Sequence, residues 1–176
     1  MESPDSTIEL VRAETEPDRA ALQRLYALYL HDLSEFTGHY ALDEEARWTP
    51  SYLDDMLGRP MCHCLLARSA GSAVGFALVT TQPFPYMPAD ADVQLAEFFV
   101  AKPYRRRGLG RAAAAATLRL FPGHWSLAVV DRNTAAFAFW RNVVAELAGE
   151  DYAELDGVGE TSFRFSIGET RVPSAA

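Results

Sequence analysis

The chain has 176 residues, 49% hydrophobic and 23% charged, which suits one domain with a sizeable core. No apolar run approaches the roughly 18 residues that a membrane helix needs, and the acidic opening "MESPDSTIEL" has no apolar export core, so a cytoplasmic chain with no membrane partner is expected. A net charge of -8 argues against general nucleic-acid binding, which depends on neutralising phosphates.

In chain order, residues 7–13 ("TIELVRA") alternate in polarity and predict a strand. "EPDRAALQRLYALYLHDLSEF" predicts a helix: Pro17 suits a first turn, and Ala21, Leu22, Leu25, Leu28, Tyr29 and Leu33 recur at helical spacing. "TGHYALDEEARWTP" reads as loop and "SYLDDMLG" as a short helix with Ser51 near its start. "MCHCLLARS" and "SAVGFALVTTQ" are strands around the hairpin turn "AGS". Cys62 and Cys64 share a strand face and are badly placed to bridge each other, which fits a reduced compartment. No second Cys/His pair lies at usable spacing, so no metal is expected. His31, His39 and His124 carry no motif.

"TQPFPYMPADAD" holds Pro83, Pro85 and Pro88 and reads as irregular loop. Residues 93–101 ("VQLAEFFVA") are a third strand of this central part. "GRAAAAATLRLF" is a helix stopped by Pro122 and Gly123. "HWSLAVVD" is a buried strand, and "NTAAFAFWRNVVAELAG" a helix capped by Asn133 or Thr134 and stopped at Gly149. "EDYAELDG" and "TSFRFSIG" close as an antiparallel pair. The order is β-α-α-β-β-β-α-β-α-β-β, of α/β class, in one domain spanning 7–168, with frayed tails at 1–6 and 169–176. Strand–helix–strand across residues 93–131 requires a parallel pair and a crossover helix, while the hairpins require antiparallel neighbours. The sheet is therefore expected to be mixed, with helices on both faces.

Between the third of these strands and its helix lies "KPYRRRGLGR", with Arg105, Arg106, Arg107 and Arg111 set around Gly108 and Gly110. Three readings are open: a solvated basic turn, a nucleic-acid patch, or a cradle for phosphates. Glycines let backbone amides approach a ligand, and a helix N-terminus adds unpaired N–H groups and partial positive charge. The arginines add forked donors. The spacing is neither a P-loop nor the dinucleotide fingerprint. The five alanines 112–116 would let the helix lie close to the sheet. Glu97, an acid inside the apolar run "LAEFFV", reads either as a salt-bridged edge carboxylate or as a base whose pKa burial raises.

"FFVAKPYRRRGLGRA" resembles motif A of the GNAT N-acetyltransferases, Gln/Arg-x-x-Gly-x-Gly/Ala, with Arg105, Gly108 and Gly110 filling the pattern. "NTAAFAFWRNV" is similar to that family's N-x-x-A-x-x-hydrophobic-Tyr segment through Asn133, Ala136 and Phe139. Both fall in the right order around one strand, and the resemblance spans residues 8–167. It implies a sheet that splays between strands 93–101 and 125–131, and acetyl-CoA as acetyl donor. Arg105, Arg106, Arg107, Gly108, Leu109, Gly110 and Arg111 would hold the pyrophosphate. Asn133, Phe137 and Trp140 would lie along pantetheine and adenine, and the backbone of Phe99 and Val100 would pair with pantetheine. The Val100 N–H would also polarise the thioester carbonyl.

The resemblance further implies an acetyltransferase acting on a primary amine, either a small molecule or a peptide, by direct attack, with Glu97 as base. Tyr26, Tyr29, His31, Asp32, Glu35, Phe36 and Tyr40 fall where members bind the acceptor, and Phe84, Tyr86 and Met87 either recognise it or cap the core. Many members dimerise, which makes a homodimer an expectation to test. Trp140 departs from the pattern: members carry a tyrosine there that protonates the leaving thiolate, and an indole cannot. The departure leaves two alternatives, an enzyme for which that acid is dispensable or an inactive acyl-CoA-binding sensor. A thiol of pKa about 8.5 already leaves well, which favours the enzyme.

Overall fold

The computed structural model describes residues 7–168; the tails expected to fray lie outside the described residues. Strand β1 (Glu9–Arg12) runs into α1 (Glu16–Leu33), which starts where the Thr15 hydroxyl accepts from the Asp18 amide and Pro17 fills the first turn. A two-residue pair, β2 (Ala41–Leu42) and β3 (Trp48–Thr49), and a single turn, α2 (Leu53–Met56), follow. Then come β4 (Cys62–Ser69), β5 (Ser72–Thr81), β6 (Val93–Val100), α3 (Leu109–Arg119), β7 (Gly123–Val130), α4 (Thr134–Ala148), β8 (Tyr152–Asp156) and β9 (Glu160–Ile167). The β2–β3 pair lies in the stretch expected to be loop: two-residue strands are too short to show a period.

The seven long strands form one sheet in the order β1-β4-β5-β6-β7-β9-β8. Every neighbouring pair is antiparallel except β6 and β7, which are parallel and joined through α3. Helix α1 covers one face, burying Leu22, Leu25, Tyr26 and Leu30 against Leu66, Phe76, Leu78 and Phe99. Helices α3 and α4 cover the other, where Ala114, Leu118, Trp140, Val143 and Val144 meet Leu95, Leu127 and Phe163. The alanine run works as expected, with Ala113 and Ala114 buried flush against the core. Among the described residues no helix is long and apolar enough to cross a membrane.

Two features of β6 set up the site. It pairs with β7 only at Val93–Trp125, Gln94–Ser126 and Leu95–Leu127; beyond Leu95 no pairing with β7 continues. At the same point its register against β5 slips: Val79 faces Leu95 but Leu78 faces Glu97, which leaves Ala96 as a bulged residue. Past the bulge, β5 holds β6 closely. A side chain at Gly75 would put its first carbon 2.3 Å from the Phe99 carbonyl oxygen, so only glycine lets the strands approach there.

Candidate active site

The bulge decides where Glu97 points. By simple alternation it would share a face with Val93 and Leu95, under α3 and α4. The extra residue Ala96 turns it to the α1 face, alongside Phe99 and opposite Leu78. There the Tyr29 hydroxyl donates a short hydrogen bond to Glu97 Oε2. Burial pushes the Glu97 carboxyl up to about 7, against the downward pull of that hydrogen bond. Burial first, and then the Glu97 charge, hold Tyr29 well above the ordinary phenol range and push Tyr40 up to about 12. Glu97 thus sits beside the point where β6 and β7 part, with a pKa suited to accepting a proton near neutrality.

Around it stand rings. Tyr29 packs edge-on to Phe76 (5.6 Å between centroids) and Phe99 (6.1 Å), and Tyr26 lies 5.7 Å from Tyr29. Tyr52 shares a 3.0 Å hydrogen bond with His39, whose ring also meets Tyr40 edge-on. Of the acceptor-side residues named from sequence, Tyr26, Tyr29 and Tyr40 gather near Glu97, whereas His31 packs toward Trp48. Tyr52 was missed by the sequence reading, and His39 carried no signal there. In the proline-rich loop Met87 is buried while Tyr86 is exposed.

The glycine-arginine turn lies at the far end of β6. A 3₁₀ turn (Lys102–Tyr104) leads to Arg106 and Gly108, both left-handed (φ 60° and 79°), and Gly108 caps α3. Nothing lies within 4 Å of where a Gly108 side chain would point. The first turn of α3 leaves the amides of Leu109, Gly110 and Arg111 without intrahelical acceptors. Ala101 donates to the Val74 carbonyl on β5 and the Phe99 carbonyl lies over Gly75; strand alternation therefore places the Val100 amide on the side away from β5.

Arg105 and Arg111 are tied into the scaffold. Arg105 donates from Nε to the Val100 carbonyl (2.6 Å) and from its terminal nitrogen to Asp32 on α1 (2.6 Å), which Lys102 also reaches at 3.0 Å. Burial raises the Asp32 carboxyl, but these two cations outweigh it and hold the group below its usual range. Arg111 pairs with Glu146 on α4 (2.6 Å). Arg106 and Arg107 are exposed beside the α3 N-terminus. Arg111, Phe139, Asn142, Val143 and Glu146 line an open cavity of about 350 Å³ between α3 and α4.

The second motif divides between scaffold and surface. The Asn133 side chain accepts from the Ala136 amide (3.1 Å) and so caps α4. Replacing Asn133 with Ala is expected to cost about 1 kcal/mol, read as a lower denaturant midpoint. Phe137 packs on Phe163 beneath Arg141. Trp140, 6% exposed, lies in the core against Phe98 and Phe139. Cys64 is buried on the α1 face, and among the described residues no group of three His, Cys, Asp or Glu side chains could hold a metal ion.

The sequence model of the acetyltransferase (GNAT) family matches residues 22–143, well over half of the chain. No curated protein matches it. Among solved structures, an acetyltransferase from Thermus thermophilus superposes with a TM-score of 0.64 at 21% identity, over 92% of this chain and 97% of its own. The ribosomal-protein-S18-alanine N-acetyltransferase of Escherichia coli superposes with a TM-score of 0.58 at 14% identity, over 97% and 100%. A Salmonella typhimurium structure described with its cofactor acetyl-CoA gives 0.57 at 16% identity, over 97% and 100%. At these identities the likeness is one of fold.

Proposed function

The chain belongs to the acetyltransferase (GNAT) family, and on that premise we propose that it moves the acetyl group of acetyl-CoA directly onto a primary amine, with Glu97 as the base. The observation that carries this reading is the Glu97 carboxyl, lifted to about 7 on the α1 face where β6 leaves β7. Acetyl-CoA fits the other side of the same opening. The unpaired amides of the α3 N-terminus, the vacant space over Gly108, and Arg106 and Arg107 suit a pyrophosphate. The cavity between α3 and α4 suits the nucleotide end, and the Val100 amide, facing away from β5, would suit the thioester carbonyl.

The amine approaches as its ammonium and gives a proton to Glu97. The free nitrogen then bonds to the acetyl carbon, the carbon–sulfur bond breaks with its electron pair on the CoA sulfur, and the proton that the nitrogen sheds passes through solvent to that thiolate. Direct attack is supported by the state of the two cysteines, neither of which stands ready to take the acetyl group. Burial pushes the thiol of Cys64 up to about 11 and raises that of Cys62, so neither is a ready thiolate. Two reduced cysteines also fit a cytoplasmic chain.

A sensor that only binds acyl-CoA would need no half-buried carboxylate of raised pKa at this point, and Trp140 is accounted for by core packing. The test is intact-protein mass spectrometry after incubation with acetyl-CoA, with and without a panel of primary amines. The expected result is unmodified protein throughout and acetylated amine where amine is present. A stoichiometric acetyl-protein that amine discharges would overturn direct attack; acetyl-CoA left intact by every amine would favour the sensor.

A further inference from the structure

We propose that the amine acceptor carries a carboxylate, held by the Arg164 guanidinium in a cavity over β9; this rests on the reading of the chain as an amine acetyltransferase. The cavity has a volume of about 510 Å³, with His124, Asp151, Arg164 and Ser166 in its walls and Asp90 of the proline-rich loop at its edge. It lies on the half of the sheet face that α1 leaves open. The core under α1 draws on β4, β5 and β6, whereas Ala128, Ala153 and Ser166 of β7, β8 and β9 stand exposed.

Arg164 is built into the floor of this cavity. Its side chain is 21% exposed, and Nη1 donates to the buried Ser126 hydroxyl at 2.7 Å. Its acidic neighbour holds it loosely: Asp90 Oδ2 lies 3.7 Å from Nε, beyond hydrogen-bond range, and Asp90 is 70% exposed on its loop. Nε is sealed from solvent without a hydrogen-bond partner. Nη2 makes no hydrogen bond either, but it keeps accessible surface and is the nitrogen offered to the cavity. A mostly desolvated guanidinium with donors unspent is costly, and a carboxylate reaching Nη2 would complete it.

The sheet links this cation to the reacting end. Trp125, Leu127, Phe163 and Phe165 point into the core under α3 and α4. Ser126 and Arg164, alternating with them, therefore point to the opposite face, to which the bulge also turns Glu97. Gln94, Ser126 and Arg164 form one cross-strand row over β6, β7 and β9. From strand spacing and rise, a guanidinium reaching back to Ser126 stands on the order of 10 Å from Glu97. One short chain with an amine at one end and a carboxylate at the other spans that gap. The charge of the rim selects the anion. Asp90, Glu150 and Asp151 face a single arginine, and His124 is already paired with Asp92 at 2.8 Å. Such a rim admits a monoanion and opposes a phosphate dianion.

The experiment uses the full chain in two arms. The first follows saturation-transfer NMR of ε-aminocaproate without acetyl-CoA, and so reads the cavity apart from any transfer. The second follows CoA release for γ-aminobutyrate and ε-aminocaproate, for butylamine and hexylamine of matching length, and for phosphoethanolamine. ε-Aminocaproate is expected to bind the wild type and to bind Arg164→Gln at least ~10-fold more weakly. At least one amino acid should exceed its matching alkylamine in kcat/KM by ~10-fold or more. Arg164→Gln should erase that margin by raising KM for the amino acid while leaving the alkylamine unchanged. Asp90→Asn, a change on an exposed loop, should lower KM for the amino acid by removing the competing carboxylate. Equal turnover of both amino acids and their alkylamines overturns the proposal, as does an Arg164→Gln defect that falls alike on both classes. Preference for phosphoethanolamine, or no binding of ε-aminocaproate, overturns it too. Arg164-dependent binding without transfer to any amine would count against the acetyl-transfer reading and leave the carboxylate site standing.

Discussion

Glu97→Gln is expected to lower kcat by about 10²–10⁴-fold, the range that a positioned general base contributes, while acetyl-CoA binds as before. Glutamine keeps the shape and can still accept from Tyr29, so the change removes proton acceptance and little else. The pH profile gives a sharper signature. With the carboxyl at about 7, wild-type kcat/KM should rise through that pH and level off above it, and the variant should lose that inflection.

Stability should move the opposite way. The Glu97 pKa rises from 4.5 in a solvated chain to about 7 in the folded one, so the folded state holds a proton that the unfolded state has released. The contribution is fully present below 4.5 and is lost as pH rises through about 7. It amounts to about 3 kcal/mol at most, and Glu97→Gln should be the more stable protein at pH 8. A variant that loses activity without losing this pH dependence of unfolding would mean that another group carries the raised pKa.

Trp140→Ala should be the most damaging single change to the fold within the two motifs. The indole fills the space between Phe98 at 5.1 Å and Phe139 at 5.0 Å, both near edge-on, under the α4 face of the sheet. Removing a buried tryptophan costs about 3–5 kcal/mol, measured as a drop in unfolding free energy. Trp140→Tyr separates packing from chemistry. It keeps a ring in place and restores a phenol at the position where a leaving thiolate would be protonated in the family pattern. If the acid is dispensable, kcat should rise far less than the roughly 10²–10⁴-fold that a needed general acid supplies. A large gain would show that the indole had replaced a working acid.

Local pattern carried most of the fold. Helical spacing from Ala21 to Leu33 and the alanine run both became helices with the expected buried faces, because those periods depend on near neighbours. The spacing of Arg105, Gly108 and Gly110, followed by Asn133 and Ala136 around one strand, was legible for the same reason: it records a turn and a cap, each built within six residues or so. The direction of Glu97 was not legible. One bulged alanine reverses it, and nothing in "LAEFFV" distinguishes a bulged Ala96 from a paired one.

Partners far apart in sequence were equally hidden. Tyr29 reaches Glu97 across 68 positions and Asp32 reaches Arg105 across 73. The sequence pattern of Arg105 points to a phosphate ligand and says nothing of the tie that its guanidinium makes between the end of β6 and α1. The contact of Tyr29 with Glu97, and the ring cluster around it, emerge only when α1 is laid on the sheet.

The central claim is that the α3 N-terminus holds the pyrophosphate of acetyl-CoA, and calorimetric titration of acetyl-CoA into wild-type protein and Gly108→Glu tests it most directly. A glutamate there meets a left-handed backbone position and sets a negative charge where the pyrophosphate is proposed to lie. The predicted result is saturable micromolar binding by the wild type and at least ~10-fold weaker binding by a variant that is still folded by circular dichroism. No binding by the wild type, or equal binding by both proteins, would contradict it.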